Sequence, residues 1–151
     1  MTLFLSTYIN KVDRKNRLSV PAPFRNALSE QSFQGIIVFK STGHLALEGF
    51  GMDFMSNLPD RLDEFDLFSS EQDDMASIIF GESRQLPFDG DGRINLPADL
   101  AEFCGITDQA AFVGLGKKFQ IWAPDQLEAH KDAARARVSK TGMTLPKSKK
   151  D

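Results

Sequence analysis

Asp13-Arg14-Lys15-Asn16-Arg17-Leu18-Ser19-Val20-Pro21 is matched by Asp89-Gly90-Asp91-Gly92-Arg93-Ile94-Asn95-Leu96-Pro97, at a constant offset of 76 residues (89 − 13). The Asp, the Arg and the Pro are identical, and the aliphatic–polar–aliphatic alternation before the proline is kept. The match extends outward, with Ile9 to Val12 set against Gln85 to Phe88 and Phe24 against Leu100. A match that holds its spacing over this length reads as one structural unit present twice.

Each copy reads as strand, tight turn, strand, short helix, two further strands and a helix. Thr7 to Val12 is extended, and Leu18 to Val20 alternates with the period of a half-buried strand. Asn16 and Gly92 hold equivalent places between strands, and both residue types accept the positive φ that a reversal there requires. Pro21 and Pro97 suit the first turn of a helix, because a missing N–H has no intrahelical partner there. Helices are therefore expected over 21–28 and 97–104. Ile36 to Phe39 with Leu45 to Leu47, and Ala111 to Val113 with Phe119 to Trp122, read as paired strands turned by Ser41–Gly43 and Gly114–Gly116. Further helices are expected over 52–67, interrupted near Pro59, over 71–80 with Ser70 as N-cap and Met75, Ile78 and Ile79 on one face, and over 124–138. Residues 140–151 lack periodicity and read as a flexible basic tail.

The chain has 151 residues, 41% hydrophobic and 26% charged, which suits one domain or two closely packed halves. Halves of this size bury too little surface to stand comfortably alone, so they are expected to pair with each other or with another copy. The single Cys104 excludes an internal disulfide framework, and no export signal or membrane-spanning apolar run is visible. A soluble cytoplasmic protein with no membrane partner is the expectation. The net charge of −3 argues mildly against nucleic acid, but the charge is segregated along the chain. Lys11, Arg14, Lys15, Arg17 and Arg25 crowd the first copy, whereas acids crowd the segment from Asp60 to Asp74.

The tandem Asp13–Pro21 and Asp89–Pro97 motifs, with Phe24-Arg25 and the run from Tyr8 to Trp122, resemble the MraZ family of bacterial DNA-binding regulators. The resemblance implies an α+β fold of two pseudo-repeated AbrB-like swapped-hairpin β-barrel units with flanking helices. Its division would be a SpoVT-AbrB-like repeat over 7–54, an acidic helical linker over 55–82, a second repeat over 83–126, and a C-terminal helix and basic tail over 127–151. It further implies a ring-like homo-oligomer in the nucleoid that binds direct repeats in double-stranded promoter DNA and represses its own division and cell-wall operon. The family usually carries Gly where this chain has Asn16, so the first turn relies on asparagine's tolerance of left-handed geometry.

Affinity for DNA comes from cations on a rigid projection and discrimination from contacts with base edges. Arg14, Lys15 and Arg17 fall within four residues around the first reversal. Arg14 is the leading base reader, since arginine can engage guanine bidentately, and Lys15 suits a phosphate. Lys11 and Arg25 complete the candidate DNA contacts. Asp13, Asn16, Asp89, Gly92 and Arg93 are candidates for building the turns. Two roles stay open for Arg17 and Arg93, a DNA contact or an Asp–Arg pair that pins the hairpin. The second turn carries Gly90 and Asp91 where the first has Arg14 and Lys15, so it would repel phosphate.

Other chemistry finds little support. Asp89-Gly90-Asp91-Gly92 lacks the ligand spacing of a calcium loop, and the Gly-x-Gly pairs lack the third glycine of a nucleotide fingerprint. His44 and His130 are far apart in sequence with no metal-ligand spacing and read as surface histidines. Cys104 reads as a small buried hydrophobe. Basic residues do not interleave with aromatics, which disfavours single-strand stacking. No catalytic residues, cofactor, metal or small-molecule substrate are expected. The alternative reading is an antitoxin-like protein-interaction module whose helical tail captures another protein, with the acidic segment from Asp60 to Asp74 as its support.

Overall fold

Alternation of aliphatic and polar residues and the two proline-led stretches generate the elements of the computed structural model, which describes residues 3–66 and 68–148. In chain order these are β1 (Thr7–Lys11), β2 (Arg17–Ser19), α1 (Ala22–Ala27), β3 (Gly35–Lys40) and β4 (Leu47–Phe50). They continue as α2 (Met52–Met55), α3 (Leu58–Leu62) and α4 (Ser70–Ala76), which runs into a π-helical turn over Ser77–Gly81. The second half supplies β5 (Arg84–Pro87), β6 (Arg93–Asn95), α5 (Ala98–Cys104), β7 (Gln109–Gly114), β8 (Phe119–Trp122) and α6 (Pro124–Thr141). The fold is α+β, and all its strand pairs are antiparallel.

Strands of the two halves share one six-stranded sheet in the order β1-β7-β8-β4-β3-β5, and β2 pairs with β6 in a separate ribbon. Each first strand pairs with the third strand of the other half. Exchanging every strand for its counterpart reverses the order onto itself, so the sheet reads alike from both edges. Leu18 faces Ile94 across the ribbon, a pair related by the 76-residue offset, and Glu48 faces Gln120 across the sheet centre, the second residues of β4 and β8.

One face of the sheet covers the main core. Ile36, Val38, Phe112 and Ile121 meet Leu18 and Ile94 of the ribbon and Phe24 and Leu100 of the short helices there. Phe24 lies among the rings of Phe4, Tyr8, Phe112 and Phe119 at 5.2–6.1 Å between centroids. Burying a side chain of this size contributes about 1.5–3 kcal/mol. The opposite face is buried as well, which is why β3 is apolar throughout. Ile37, Phe39, Phe50 and Met55 gather Ile78, Ile79 and Phe80 there, and Ala46, Ala111 and Trp122 seat Leu127 of α6.

Several expectations need correction. The β-barrel units do not form, because β1 and β5 are the outer strands of an open sheet. The β2·β6 ribbon with α1 and α5 covers the inner face instead of a closing strand pair. The strand expected over Leu45–Leu47 lies at Leu47–Phe50, because the reversal after β3 extends to Ala46, whose carbonyl accepts from the Ser41 amide at 2.9 Å. The helix expected over 52–67 is two short ones, and Leu67 lies outside the described residues. Ser69, not Ser70, caps α4 by accepting from the Gln72 amide at 3.2 Å. Of the apolar face expected there, Ile78 and Ile79 pack with Phe80 against the sheet, and Met75 is absent from that cluster. Helix α6 runs into the expected tail as far as Thr141, where Gly142 closes it at φ 65°, and residues 149–151 of that tail lie outside the described residues. Among the described residues no helix is long and apolar enough to cross a membrane.

Candidate nucleic-acid interface

Both reversals are built by one aspartate each. The amides of Lys15 and Arg17 donate to Asp13 Oδ1 at 2.9 and 2.8 Å, and Arg17 Nε donates to Oδ2 at 2.7 Å. In the second turn the amides of Asp91 and Arg93 donate to Asp89 Oδ1 at 2.8 and 3.0 Å, and Arg93 Nε donates to Oδ2 at 2.9 Å. Asn16 and Gly92 take φ values of 63° and 74°, the left-handed region anticipated from their residue types. The hydrogen bond from the Arg17 backbone, ahead of the opposing effect of burial, leads in holding the Asp13 carboxyl below its usual value. The Arg93 backbone does the same for Asp89.

The two turns are locked to each other. Val20 N–H donates to the Gly92 carbonyl at 3.1 Å, and Leu96 N–H donates to the Asn16 carbonyl at 2.8 Å. The strand leaving each turn therefore ends on the other turn, so both reversals border one ribbon. Asn10, which carried no sequence signal for this role, ties β1 to the ribbon by donating from Nδ2 to the Ser19 carbonyl at 2.7 Å.

Their electrostatics diverge. The first turn carries one acid and three bases, a formal net of +2, whereas the second carries two acids and one base, a net of −1. Arg93 reaches both acids, with Nη2 at 3.1 Å from Asp91 as well as Nε on Asp89. Arg17 has one acidic partner, Asp13. Arg14 and Lys15 are exposed and make no side-chain ion pair among the described residues. Lys11 is exposed at the end of β1.

Arg25 of α1 bridges the halves in a way that charge composition does not reveal. Its guanidinium lies where a Cβ on Gly92 would fall, so Gly92 admits the arginine as well as the positive φ. Its Nε is buried without a hydrogen-bond partner among the described residues. The position 76 residues on is Ala101, so no matching guanidinium comes from α5.

Polar groups elsewhere form a second network. Glu48, at 9% exposure, accepts from Lys118 Nζ at 2.8 Å and from Gln120 Nε2 at 3.1 and 3.2 Å, and Gln120 Oε1 accepts from Trp122 Nε1 at 2.9 Å. Burial pushes the Glu48 carboxyl up, but hydrogen bonds from Lys118, Ser41 and Gln120 outweigh it and hold it below its usual value. Trp122 stacks on His130 at 4.8 Å, and the His44 ring is 4.6 Å from that of His130. The two histidines, expected to be unrelated surface residues, are half-buried neighbours. Burial, then His44, then Arg137 lower the His130 pKa. Among the described residues no group of three or more His, Cys, Asp or Glu could hold a metal ion. Burial pushes the Cys104 thiol up to about 12, which leaves it a poor nucleophile.

With this geometry in place, comparison with known proteins gives a consistent result. A family model described as "MraZ protein, putative antitoxin-like" matches residues 79–142. The transcriptional regulator MraZ of Rickettsia akari (strain Hartford) is 41% identical over 145 residues, covering 96% of this chain and 97% of that protein. The protein of the same name from Parvibaculum lavamentivorans (strain DS-1 / DSM 13023 / NCIMB 13966) is 46% identical over 140 residues, covering 91% and 86% respectively.

Proposed function

The chain belongs to the MraZ family of transcriptional regulators, and from that premise we propose that it binds double-stranded promoter DNA in a sequence-specific manner through the Asp13–Arg17 turn. Transcriptional regulators are not an enzyme class. The observation that carries the proposal is the contrast between the two turns: one hydrogen-bonded frame presents unpaired Arg14 and Lys15 in one copy and two acids in the other. A pre-formed frame spares the backbone-ordering entropy that a mobile loop would lose on meeting a groove. Arg14 reads base edges in this account, and Lys15, Lys11 and Arg25 meet phosphates. Arg17 and Arg93 pin the turns, with Asp13 and Asp89 as their partners.

The remainder of the proposal concerns assembly and regulation. The exchange of first strands between halves supports AbrB-like swapped-hairpin units over 7–54 and 83–126, joined by the acidic segment 55–82 and followed by 127–151. Copies assemble as a ring, which sets several basic turns against regularly spaced direct repeats. The protein acts in the cytoplasm, on the nucleoid, as a repressor of its own division and cell-wall operon.

Footprinting on the DNA upstream of its own gene tests this. Protected short repeats at regular spacing are the expected result, and uniform protection at moderate salt contradicts sequence-specific binding. The antitoxin-like wording of the family model supports a second reading, a module whose helical tail captures another protein. Stoichiometric copurification of a partner, with no affinity for the upstream DNA, is the outcome that favours it.

A further inference from the structure

We infer that the crevice between the end of α1 and the α2–α3 helices is a binding site for a small amphipathic monocarboxylate. Its volume of about 280 Å³ is close to the lower limit of roughly 300 Å³ for small-ligand pockets. Phe4, Leu28, Phe54 and Leu58 line it with apolar surface. Gly51 brings the wall close, since a Cβ there would overlap Leu28 and Gln31.

The polar lining points to an anionic head group. Gln31 spends its amide oxygen on the Asp53 backbone N–H at 2.8 Å, which leaves its Nε2 as a donor. Asn57, Arg61 and Lys117 also line the crevice, and none of their side chains has a hydrogen bond or ion pair among the described residues. Four residues with donor groups that have no protein partner among the described residues thus line the crevice beside its apolar side chains. Asp53 is the one acid among the lining residues, so with Arg61 and Lys117 the formal charge is +1. That balance suits one negative charge on the ligand, held by charge-assisted hydrogen bonds. An occupant would touch Ala27 and Leu28, at the end of the helix that carries Arg25 to Gly92.

Calorimetry and protein-observed NMR with 4-phenylbutyrate, matched against the uncharged 4-phenylbutanamide, test the inference on the full chain. Saturable binding of the acid is expected, with the amide weaker by about tenfold or more. Arg61→Gln with Lys117→Gln changes two exposed positions and is expected to abolish that preference, with the protein still folded by circular dichroism. Arg14→Ala with Lys15→Ala is expected to leave it unchanged, which separates the crevice from general attraction to the basic turn. Absence of saturable binding, equal affinity for acid and amide, or dependence on Arg14 and Lys15 instead of Arg61 and Lys117 would overturn the inference. None of these readouts depends on DNA binding.

Discussion

Leu96 donates its backbone N–H to the carbonyl of Asn16 at 2.8 Å, so the basic turn of the first half is held by the strand that leaves the acidic turn of the second. Val20 and Gly92 make the reciprocal bond at 3.1 Å. Each turn, built by its own aspartate, is thus also bonded to the strand that leaves the other. A lesion in the acidic turn should therefore reach the basic one, although that turn carries no free cation of its own.

Gly92→Ala tests that dependence. The added Cβ meets the Arg25 guanidinium and sits at a φ of 74°. The expected loss is about 1–3 kcal/mol in urea unfolding. Combining it with Arg25→Ala should recover the steric part and leave the backbone part, a non-additive cycle that full additivity would contradict.

Asp13→Asn separates a structural aspartate from an electrostatic one. If Asp13 merely repelled phosphate, removing its charge would tighten promoter binding. Because its carboxylate accepts two backbone amides and Arg17 Nε, gel-shift titration should instead show weaker binding.

Glu48 links the sheet centre to pH. Its folded-state carboxyl is held below its ordinary value of 4.5, so the folded state binds fewer protons than the unfolded chain near that pH. The stabilisation is present above that value and is lost as pH falls through the lower folded value. Glu48→Gln should give a shallower fall of melting temperature below pH 5, without flattening it, because Asp13, Asp89 and Asp99 are also held low. An unchanged slope contradicts the network's role.

His130 predicts a change at milder pH. Its neutral form is favoured in the folded state, so its contribution is complete above the ordinary value of 6.5 and is lost as pH falls through the lower folded value. Trp122, the sole tryptophan, stacks on it and reports the event. A fluorescence transition centred below pH 6.5 that disappears in His130→Ala is expected.

The turns were legible in the sequence because positive φ restricts residue type, and Asn16 and Gly92 display that restriction directly. Strand partners were not. Alternation sets which face of a strand is buried, but leaves open whether β2 pairs with β1 or with β6. The β4 boundary slipped because Leu45 looks like a strand residue yet is 58% exposed in the preceding reversal. His44 and His130 meet only because β4 lies beside β8, which leads into α6. For Arg25, composition supplied the charge, while its position over Gly92 depends on how the two halves pack.

The central claim is that Arg14 and Lys15 provide the DNA contacts of the first turn. Its most direct measurement is promoter affinity as a function of salt for the native chain and for Arg14→Ala with Lys15→Ala. If Lys15 neutralises a phosphate and Arg14 reads a base edge, the variant binds more weakly and less selectively, and the slope of log K against log salt falls by about one per engaged copy. An unchanged affinity and slope, with the oligomer intact, would remove this turn from the interface.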